Sequence, residues 1–327
     1  MRHLILTDAN RSAAVAEAAE ALRAGELVAL PTETVYGLAA DAANGEAVAR
    51  IFAAKGRPLF NPLICHVTDV AMARRYGVLD PRAEQLAEKF WPGPLSIVVS
   101  LTINAPVHPL ATAGLSTIAL RAPRGPAHDV IAAFGGALAA PSANRSGRLS
   151  PTSADHVLEQ FGEAVALVLD AGPCAVGLES TIVSLARKQP TLLRPGGVAA
   201  EAIEATLRMK LERATAGDPI SAPGMLASHY APLLPLRLNA SSVAPGEALL
   251  AFGPARIAGA ERAVAVRNLS PAGDLVEAAA NLFAFLVELD QSGASAIAAA
   301  SIPHEGLGEA INDRLARAAT PKPADPA

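Results

Sequence analysis

Apolar positions along the chain follow two different spacings. Over residues 12–24, Val15, Ala18 and Leu22 recur three to four positions apart, whereas residues 27–30 form an uninterrupted apolar run that a proline ends. The first spacing is typical of an amphipathic helix and the second of a short buried strand. The two signals alternate up to about residue 200.

Further elements follow from the same two patterns. Helices are predicted over residues 44–56, 80–90, 127–134, 153–161 and 199–214. Strands are predicted over residues 63–67, 96–101, 117–121, 137–140, 166–169, 181–185 and 191–194. Helices and strands in alternation indicate an α/β fold built from layers.

A segment rich in proline and glycine interrupts this alternation. Residues 216–235 contain four prolines and two glycines, and they also include Met225, His229 and Tyr230. A flexible spacer would be rich in glycine and serine and would not need such side chains. We therefore expect the segment to close over a site as well as to connect two domains.

The alternation then resumes up to the end of the chain. Strands are predicted over residues 248–252, 263–266 and 296–301, and helices over residues 275–289 and 309–318. We assign residues 1–214 to a first α/β domain, residues 215–236 to the linker and possible lid, and residues 237–327 to a smaller α/β domain.

Composition narrows the class of protein. Hydrophobic residues make up 51% of the 327 positions, and 27 basic against 31 acidic residues give a net charge of −4. Such a chain can bury a core, and its charge disfavours unspecific coating of nucleic acid, which rests on many phosphate contacts. Two cysteines, Cys65 and Cys174, are too few for a disulfide framework or a four-cysteine zinc site. No apolar run has the length of a secretory signal or a membrane helix, so we expect a cytoplasmic protein without a membrane partner or a protein-bound structural metal.

The first candidate site is a basic pair. Lys55 and Arg57 flank Gly56 where a predicted helix turns into extended chain, and alternate residues of extended chain face the same side. Two cations that project together suit a polyanion such as a phosphate chain. The alternative is a basic helix end that interacts with the helix dipole. In the first interpretation both side chains are exposed in a pocket, and replacing either by alanine leaves stability within about 1 kcal/mol.

Two polar segments after apolar strands are further candidates. Ser142 and Asn144 alternate in the segment 141–150, and small polar groups at the carboxyl end of a strand are where open α/β sheets bind ligands. The polar run 31–38 has a similar position. The alternatives are an ordinary turn and a capped loop. His66 and Arg121 each end a predicted strand, and Arg121 is the harder to explain structurally because an unpaired buried arginine is costly.

Several familiar catalytic motifs are missing from the sequence. It contains no G-x-x-x-x-G-K-[ST] phosphate loop, no H-E-x-x-H zinc motif and no G-x-S-x-G nucleophile elbow. These absences disfavour P-loop nucleotide hydrolysis, zinc proteolysis and serine hydrolase chemistry.

The candidate segments, taken in order, resemble the YrdC-like threonylcarbamoyl-AMP synthase family. They read PTETVYGLAADA, KGRPLFNPLICHV, FWPGPLSIVV, TAGLSTIALRAP, APSANRSGRLSPT, GLESTIVSL and LLRPGG. The K-x-R pair followed by S-x-N is the signature of that family. The resemblance covers roughly residues 10–200, and SAPGMLASHYAP together with GLGEAINDRLARAA is similar to the long, two-domain form.

The resemblance implies a fold and a reaction. The fold is an open, strongly twisted mixed-sheet catalytic domain with a positively charged cavity, joined to a smaller Rossmann-like α/β domain. The reaction converts L-threonine, bicarbonate and ATP, which brings Mg²⁺, into threonylcarbamoyl-AMP and pyrophosphate. The product passes to a separate tRNA threonylcarbamoyl transferase complex, which modifies the adenosine next to the anticodon. Weak contact with double-stranded RNA is also implied.

The resemblance also implies residue roles. Catalysis falls to Lys55 and Arg57. Threonine is bound by Thr34, His66, Arg121, Ser142 and Ser180, with Arg121 facing its carboxylate. ATP is bound by Arg57, Asn61, Thr117, Asn144, Ser150, Arg194 and Tyr230.

Two alternative functions stay open at this point. One is an RNA-binding module that uses the same basic surface without chemistry, and the net charge of −4 disfavours it. The other is a carbamoyl-transfer domain of the hydrogenase-maturation type, which needs zinc fingers that two cysteines cannot supply. Threonine-dependent release of pyrophosphate distinguishes the synthase from the RNA-binding module.

Overall fold

The structure, a computed structural model, forms two β-sheets with helices packed on them. It describes residues 1–215, 217–218, 220–225 and 229–320. Positions 216, 219 and 226–228 of the predicted linker and positions 321–327 of the predicted C-terminal domain lie outside the described residues. The larger sheet is mixed and the smaller sheet is entirely parallel.

The larger sheet has twelve strands within the described residues. They are β1 (Arg2–Ile5), β2 (Val28–Leu30), β3 (Gly37–Asp41), β4 (Ile64–His66), β5 (Gly77–Val78), β6 (Leu95–Leu101), β7 (Thr117–Arg121), β8 (Leu138–Ala139), β9 (Leu167–Asp170), β10 (Thr181–Ser184), β11 (Thr191–Arg194) and β12 (Glu212–Arg213). The order is β1-β9-β2-β3-β8-β4-β7-β6-β10-β11-β12, and β5 pairs with β6.

The helices of this part pack on the larger sheet. They are α1 (Arg11–Arg23), α2 (Gly45–Lys55), α3 (Val70–Ala73), α4 (Pro81–Phe90), α5 (Pro109–Thr112), α6 (Pro126–Phe134), α7 (Ala154–Phe161) and α8 (Ala200–Leu207). Side-chain caps start three of them where the sequence predicts a start: Asn44 accepts the N–H groups of Glu46 and Ala47, Asp80 accepts that of Ala83 at 2.9 Å, and Ser153 accepts that of His156. Such caps satisfy N–H groups that have no partner inside the helix.

The smaller part is a parallel sheet with two helices. Its elements are β13 (Leu236–Arg237), β14 (Glu247–Ala251), β15 (Val266–Asn268), α9 (Leu275–Asp290), β16 (Ala296–Ala299) and α10 (Leu307–Ala319), with strand order β13-β16-β14-β15. Ala279, Leu282, Leu286 and Leu289, which recur every three to four positions, line the buried face of α9 together with Ala278 and Phe283.

The two parts share an apolar interface. Val35, Leu149 and Leu178 belong to loops of the first part, yet they are buried in the same cluster as Leu282 and Phe283 of α9. These loops are the ones that the sequence marks as candidate binding segments. The second domain therefore packs directly behind the candidate site.

One predicted helix is too long. The pattern extends it over residues 199–214, whereas α8 ends at Leu207 because Arg208 takes a left-handed conformation with a φ of 54°. The Glu204 side chain then accepts the backbone N–H of Leu211 at 3.1 Å. Leu211 still packs into the core, but it does so from extended chain, which explains the misleading spacing.

Short elements account for the other differences. The polar run 31–38 is not all loop, because β3 begins at Gly37. Strand β15 lies at Val266–Asn268 instead of residues 263–266. The strands β1, β5 and β13 and the single-turn helices α3 and α5 were not predicted, since segments of two to four residues carry little periodicity. No helix in the described ranges has the length and apolar character needed to span a membrane.

Candidate active site

A cavity lies at the carboxyl ends of strands β4 and β7 of the larger sheet, and eight predicted site residues line it. They are Thr34, Arg57, His66, Arg121, Ser142, Ser180, Arg194 and Tyr230. The sheet register explains part of this convergence: β4 and β7 run parallel, and His66 is the register partner of Arg121. Because carboxyl ends of parallel strands meet at one edge, two residues far apart in sequence become neighbours.

Arg121 forms a buried ion pair, so its burial alone does not require a ligand. Its side chain is 4% exposed, and one terminal nitrogen lies 2.9 Å from Oε1 of Glu33. Its Nε donates to the carbonyl of Gly93 at 3.2 Å, and Oε2 of Glu33 accepts the backbone N–H of Arg124. Glu33 therefore balances the charge of Arg121 and fixes the direction in which its guanidinium faces.

Lys55 and Arg57 are buried, which corrects the expectation that they are exposed. Lys55 ends α2 and is 3% exposed, and Arg57 is 8% exposed. Nζ of Lys55 donates to the carbonyl of Ser142 at 2.6 Å and also to that of Asn144. Gly56 between them has a φ of 59°, a left-handed helix end rather than the extended chain assumed from the sequence. Lys55 thus joins α2 to the 142–144 loop instead of projecting beside Arg57.

Arg57 faces the cavity while its own loop holds it. Its Nε donates to the carbonyl of Asn61 at 3.1 Å, and a terminal nitrogen donates to that of Pro62 at 2.9 Å. Burial, followed by repulsion from Arg194, lowers the pKa of Arg57 to about 10, so it stays charged at neutral pH. Burial and then the charge of Arg57 lower the pKa of Lys55 well below its ordinary value.

Five predicted residues lie outside the lining of this cavity: Lys55, Asn61, Thr117, Asn144 and Ser150. Nδ2 of Asn144 donates to two carbonyls of its own loop, those of Arg145 and Arg148, both at 2.9 Å. Within the described part of the chain, the buried Oδ1 atoms of Asn61 and Asn144 have no hydrogen-bond partner. Such atoms are costly unless a ligand or water satisfies them, so they fit a polar ligand nearby.

Thr117 lines a second cavity on the same face of the sheet. Thr117 and Arg121 are four positions apart on β7, so their side chains share a face. The register between β10 and β11 shifts at Leu193, and this bulge lets Leu193 line the second cavity while Arg194 lines the first. Bulges commonly redirect a side chain in this way near a site.

The linker covers both cavities. Gly224, His229 and Tyr230 line the first, and Ser221 and Met225 line the second. Gly224 has a φ of 85°, and a Cβ there would lie 2.6 Å from Cδ of Arg194. The close approach of the linker to Arg194 therefore requires glycine at this position.

Tyr230 is held inside the protein, although it belongs to the linker. It is 1% exposed, and its ring packs 5.6 Å from that of Phe283 of the second domain. The neighbouring backbone N–H of Ala231 donates to the carbonyl of Gly147 at 2.8 Å. Of the described polar atoms, the buried Tyr230 hydroxyl is one without a hydrogen-bond partner. It is available to a ligand in the cavity.

Sequence reasoning missed two charged residues of the site. Glu179 was included only as part of the motif GLESTIVSL, and Arg314 was not singled out. Oε1 of Glu179 accepts the hydroxyl of Ser150, and Oε2 accepts Nε of Arg314 at 2.8 Å. Arg314 lies in the segment GLGEAINDRLARAA, whose similarity to the long, two-domain form of the family assigns no role to any single residue. That stretch was the available signal, but a partner 135 residues away leaves no local trace.

The site carries surplus positive charge. The guanidinium groups of Arg57, Arg121, Arg194 and Arg314 are all buried, and the carboxylates that pair with them are those of Glu33, Glu179 and Asp313. Burial alone would raise the pKa of Glu179, but the charges of Arg314 and Arg194 outweigh it and hold the pKa at about 2. Buried cations without enough carboxylates favour an anionic ligand with several charges.

Two histidines at the site are neutral. Burial, followed by the charge of Arg121, lowers the pKa of His66 to about 3. Burial is also the main reason that the pKa of His229 falls to about 3, with further lowering from Arg57, Lys55 and Arg194. A neutral imidazole offers one donor and one acceptor, so His66 serves as a hydrogen-bonding group.

Comparison with known proteins gives matches over nearly the whole chain. The Sua5/YciO/YrdC family model, described as telomere recombination, matches residues 20–196, and the model of the threonylcarbamoyl-AMP synthase C-terminal domain matches residues 198–320. The threonylcarbamoyl-AMP synthase of Bacillus subtilis is 40% identical, with 93% of this chain and 92% of that protein covered. The synthase of Pyrococcus abyssi is 39% identical, with 92% of each chain covered.

A solved structure matches both parts of the fold together. The crystal structure of P. abyssi Sua5 complexed with L-threonine superposes with a TM-score of 0.87 at 34% identity. The match covers 97% of this chain and 96% of that one. The fold of two α/β domains is therefore common to both proteins.

Replacing Lys55 should destabilise the fold. Lys55→Ala leaves the buried carbonyls of Ser142 and Asn144 without their donor, and we expect the free energy of unfolding to fall by about 2 kcal/mol. Urea unfolding of the full chain measures this change. Lys89→Ala, on the exposed face of α4, is the matched control and should change stability by less than about 0.5 kcal/mol. Equal midpoints for the two variants would contradict the structural role of Lys55.

Stability should fall as the pH drops below 6.5. His66 and His229 stay neutral in the folded chain down to a pH of about 3, whereas an unfolded histidine binds a proton near pH 6.5. The unfolded state therefore gains protons first, and at pH 5 each histidine costs about 2 kcal/mol of stability. Urea unfolding at pH 7.5 and pH 5.0 measures the loss, which should be smaller in His66→Gln. The same loss in wild type and variant would show that His66 titrates normally.

Proposed function

Since this chain belongs to the Sua5/YciO/YrdC family, in the form that carries a threonylcarbamoyl-AMP synthase C-terminal domain, we propose that it is an L-threonylcarbamoyladenylate synthase. L-Threonine, bicarbonate and ATP give threonylcarbamoyl-AMP, pyrophosphate and water. The observation that carries this proposal is the first cavity, where Arg57, Arg121 and Arg194 meet the hydroxyls of Ser142 and Ser180.

The reaction needs charge stabilisation more than an enzyme nucleophile. The threonine amine attacks the carbon of bicarbonate or carbon dioxide and gives a carbamate. A carbamate oxygen then attacks the α-phosphorus of ATP, and the bond to the pyrophosphate oxygen breaks. Negative charge grows on the phosphates, where fixed cations stabilise it best because they need no reorganisation. Arg57 and Arg194 supply that charge.

Threonine fits the end of the cavity at strands β4 and β7. Arg121 would bind its carboxylate in a charge-assisted pair, since Glu33 already fixes the guanidinium. Neutral His66 and the hydroxyls of Thr34, Ser142 and Ser180 would bind its polar groups. The hydroxyl of Ser180 already lies 2.8 Å from that of Ser96, which orients it.

ATP would span both cavities. The triphosphate would lie toward Arg57 and Arg194, and the nucleoside would reach the second cavity, where Thr117 lies beside apolar Val98 and Met225. The unsatisfied amide oxygens of Asn61 and Asn144 and the free hydroxyl of Tyr230 would bind polar atoms of the nucleotide. Ser150 would contribute through its contact with Glu179.

Magnesium would enter as part of the ATP substrate. Glu33 and Glu179, the carboxylates nearest the cavity, pair with arginines. The described ranges contain no group of three His, Cys, Asp or Glu side chains placed to hold a metal ion. The donors left for the ion are phosphate oxygens and water, a coordination that Mg²⁺ commonly keeps in nucleotide sites.

The product would serve tRNA modification. Threonylcarbamoyl-AMP would pass to a separate transferase complex that modifies the adenosine next to the anticodon. A cytoplasmic location fits this role and the two free thiols, Cys65 and Cys174. Weak contact with double-stranded RNA remains part of the proposal, as the resemblance to the family implies.

Linker residues 215–236 would act as the lid of this site, between domains 1–214 and 237–327. Its residues line both cavities, and Tyr230 is buried against them. A carbamate loses carbon dioxide in water, so a closed lid protects the intermediate.

Pyrophosphate release tests the function directly. We expect the full chain to convert ATP to pyrophosphate only when both threonine and bicarbonate are present, with threonylcarbamoyl-AMP detected by mass spectrometry. Omitting either substrate should reduce the rate to background. Pyrophosphate release that ignores threonine would contradict the proposal, and RNA binding without any release would favour the RNA-binding module.

Arg121 should govern threonine binding. Losing a charge-assisted contact is worth about 1.5–3 kcal/mol, so Arg121→Ala should weaken threonine binding by roughly 10- to 100-fold. ATP binding should change far less. Calorimetry measures both affinities, and Arg124→Ala, an exposed arginine three residues away, is the control. Equal losses for both ligands would assign Arg121 a structural role.

Closure of the lid should protect the linker and preserve coupling. ATP and threonine together should slow proteolysis within residues 215–236. Tyr230→Ala should release more pyrophosphate per threonylcarbamoyl-AMP formed, because water can then attack the α-phosphorus of ATP in place of the carbamate and give AMP and pyrophosphate. Leu233→Ala, at a position 73% exposed in the same linker, should behave like wild type. Proteolysis unaffected by ligands, together with normal coupling in Tyr230→Ala, would reduce the linker to a connector.

A further inference from the structure

Arg314 is a fully buried arginine that the proposed chemistry does not use. It lies on α10 of the second domain, and its side chain is 0% exposed. Two of its contacts reach into the first domain: Nε donates to Glu179 at 2.8 Å, and a terminal nitrogen donates to the carbonyl of Pro195 at 2.9 Å. A third contact, 2.6 Å to Asp313, stays on its own helix.

Docking of the two domains does not by itself require this charge. The interface already has an apolar part, in which Val35, Leu149 and Leu178 pack against α9. Burying a guanidinium is costly unless it is paired, and an apolar side chain of similar size often serves stability equally well. The burial of Arg314 therefore needs an explanation other than holding the two domains together.

The contacts of Arg314 lead to the residues around the proposed ATP site. Glu179 accepts the hydroxyl of Ser150 and precedes Ser180. Nε and a terminal nitrogen of Arg194 donate to the carbonyl of Ser180, the latter at 2.9 Å. The guanidinium of Arg314 also lies 5.0 Å from the centre of the Tyr230 ring. One side chain of the second domain thus contacts the loop and the linker that line the cavity.

Two further contacts make this loop rigid. The backbone N–H of Gly197 donates to the carbonyl of Glu179 at 3.0 Å. Gly177 lies so near α9 that a Cβ would come 2.4 Å from the carbonyl of Ala280. The loop around Glu179 is therefore enclosed by the second domain and by the turn after β11. If Glu179 loses its partner, its side chain and loop can therefore move in few directions other than toward the cavity.

We propose that Arg314 is a positioning residue of the active site: it holds the Glu179 carboxylate away from Arg194, so that Arg194 stays available to the phosphates of ATP. This inference rests on the proposed function, because it takes ATP as the ligand of Arg194. Without Arg314, the remaining buried cation that acts on this carboxylate is Arg194, which donates to the adjacent residue Ser180 and already interacts electrostatically with Glu179. The second domain would in this way complete the site without contacting substrate.

A set of variants in the full chain tests the proposal. Arg314→Met removes the positive charge. Arg314→Lys keeps the charge but replaces the planar guanidinium and its several N–H donors with a single ammonium group. In the double variant Arg314→Met/Glu179→Gln, the carboxylate is removed as well. Glu309→Gln is the matched control, because Glu309 also lies on α10 and pairs across the domains, with Arg213 at 2.7 Å.

The readouts are the affinity for ATP by calorimetry and kcat/KM for ATP. We expect Arg314→Met to lower kcat/KM for ATP by roughly 10²-fold, the scale of an active-site group displaced by about 1 Å, with a much smaller change in KM for threonine. Arg314→Lys should recover part of the loss. The double variant should bind ATP at least about tenfold more tightly than Arg314→Met, because no carboxylate remains to compete for Arg194. Glu309→Gln should match wild type.

Several results would overturn the proposal. Wild-type kinetics in a folded Arg314→Met variant would do so, and so would a double variant that binds ATP no better than the single one, which is the result expected of a purely structural anchor. If Arg314→Met melts at the assay temperature, the Arg314→Lys and double variants decide by the same criterion. ATP binding is measured without turnover, so a wild-type chain that binds ATP but releases no pyrophosphate with threonine refutes the proposed function separately.

Discussion

The site depends on the cost of burying positive charge. Arg57, Arg121, Arg194 and Arg314 all lie out of solvent, where an unpaired guanidinium is unfavourable. Glu33 balances Arg121, and Glu179 balances Arg314. Within the described residues, Arg57 donates to backbone carbonyls and Arg194 to the carbonyl and hydroxyl of Ser180, all of which are neutral oxygens. A ligand with several negative charges would complete the balance, and this requirement supports the proposed binding of ATP in the cavity.

The same constraint relates the two domains. A catalytic domain that ended before the linker would leave Glu179 without Arg314 and Tyr230 without Phe283. The second domain packs its apolar helix behind the candidate loops and adds one buried charge to them. Its position therefore affects the geometry of the cavity, while the residues proposed to bind the substrates belong to the first domain and the linker.

The sequence predicts the elements better than the contacts between them. His66 and Arg121 were identified because each ends an apolar strand, and the structure makes them register partners. Lys55 was expected to be exposed, since a lysine at a helix end usually is; only tertiary packing shows that its Nζ meets two carbonyls of the 142–144 loop. The pairs Glu33–Arg121 and Glu179–Arg314 span 88 and 135 positions, so no local pattern reveals them. Helix α8 was overestimated because Leu211 continues the apolar spacing after the helix has ended.

The relative affinities of ATP, ADP and AMP test the central claim most directly. If buried cations in excess of carboxylates define the site, each phosphate removed from the ligand should weaken binding, with the order ATP tighter than ADP and ADP tighter than AMP. Calorimetry at a fixed magnesium concentration and constant ionic strength gives the three dissociation constants. An ATP affinity at least about tenfold above that of AMP agrees with the account. Equal affinities for ATP and AMP would mean that the phosphates do not meet Arg57 and Arg194, and would contradict it.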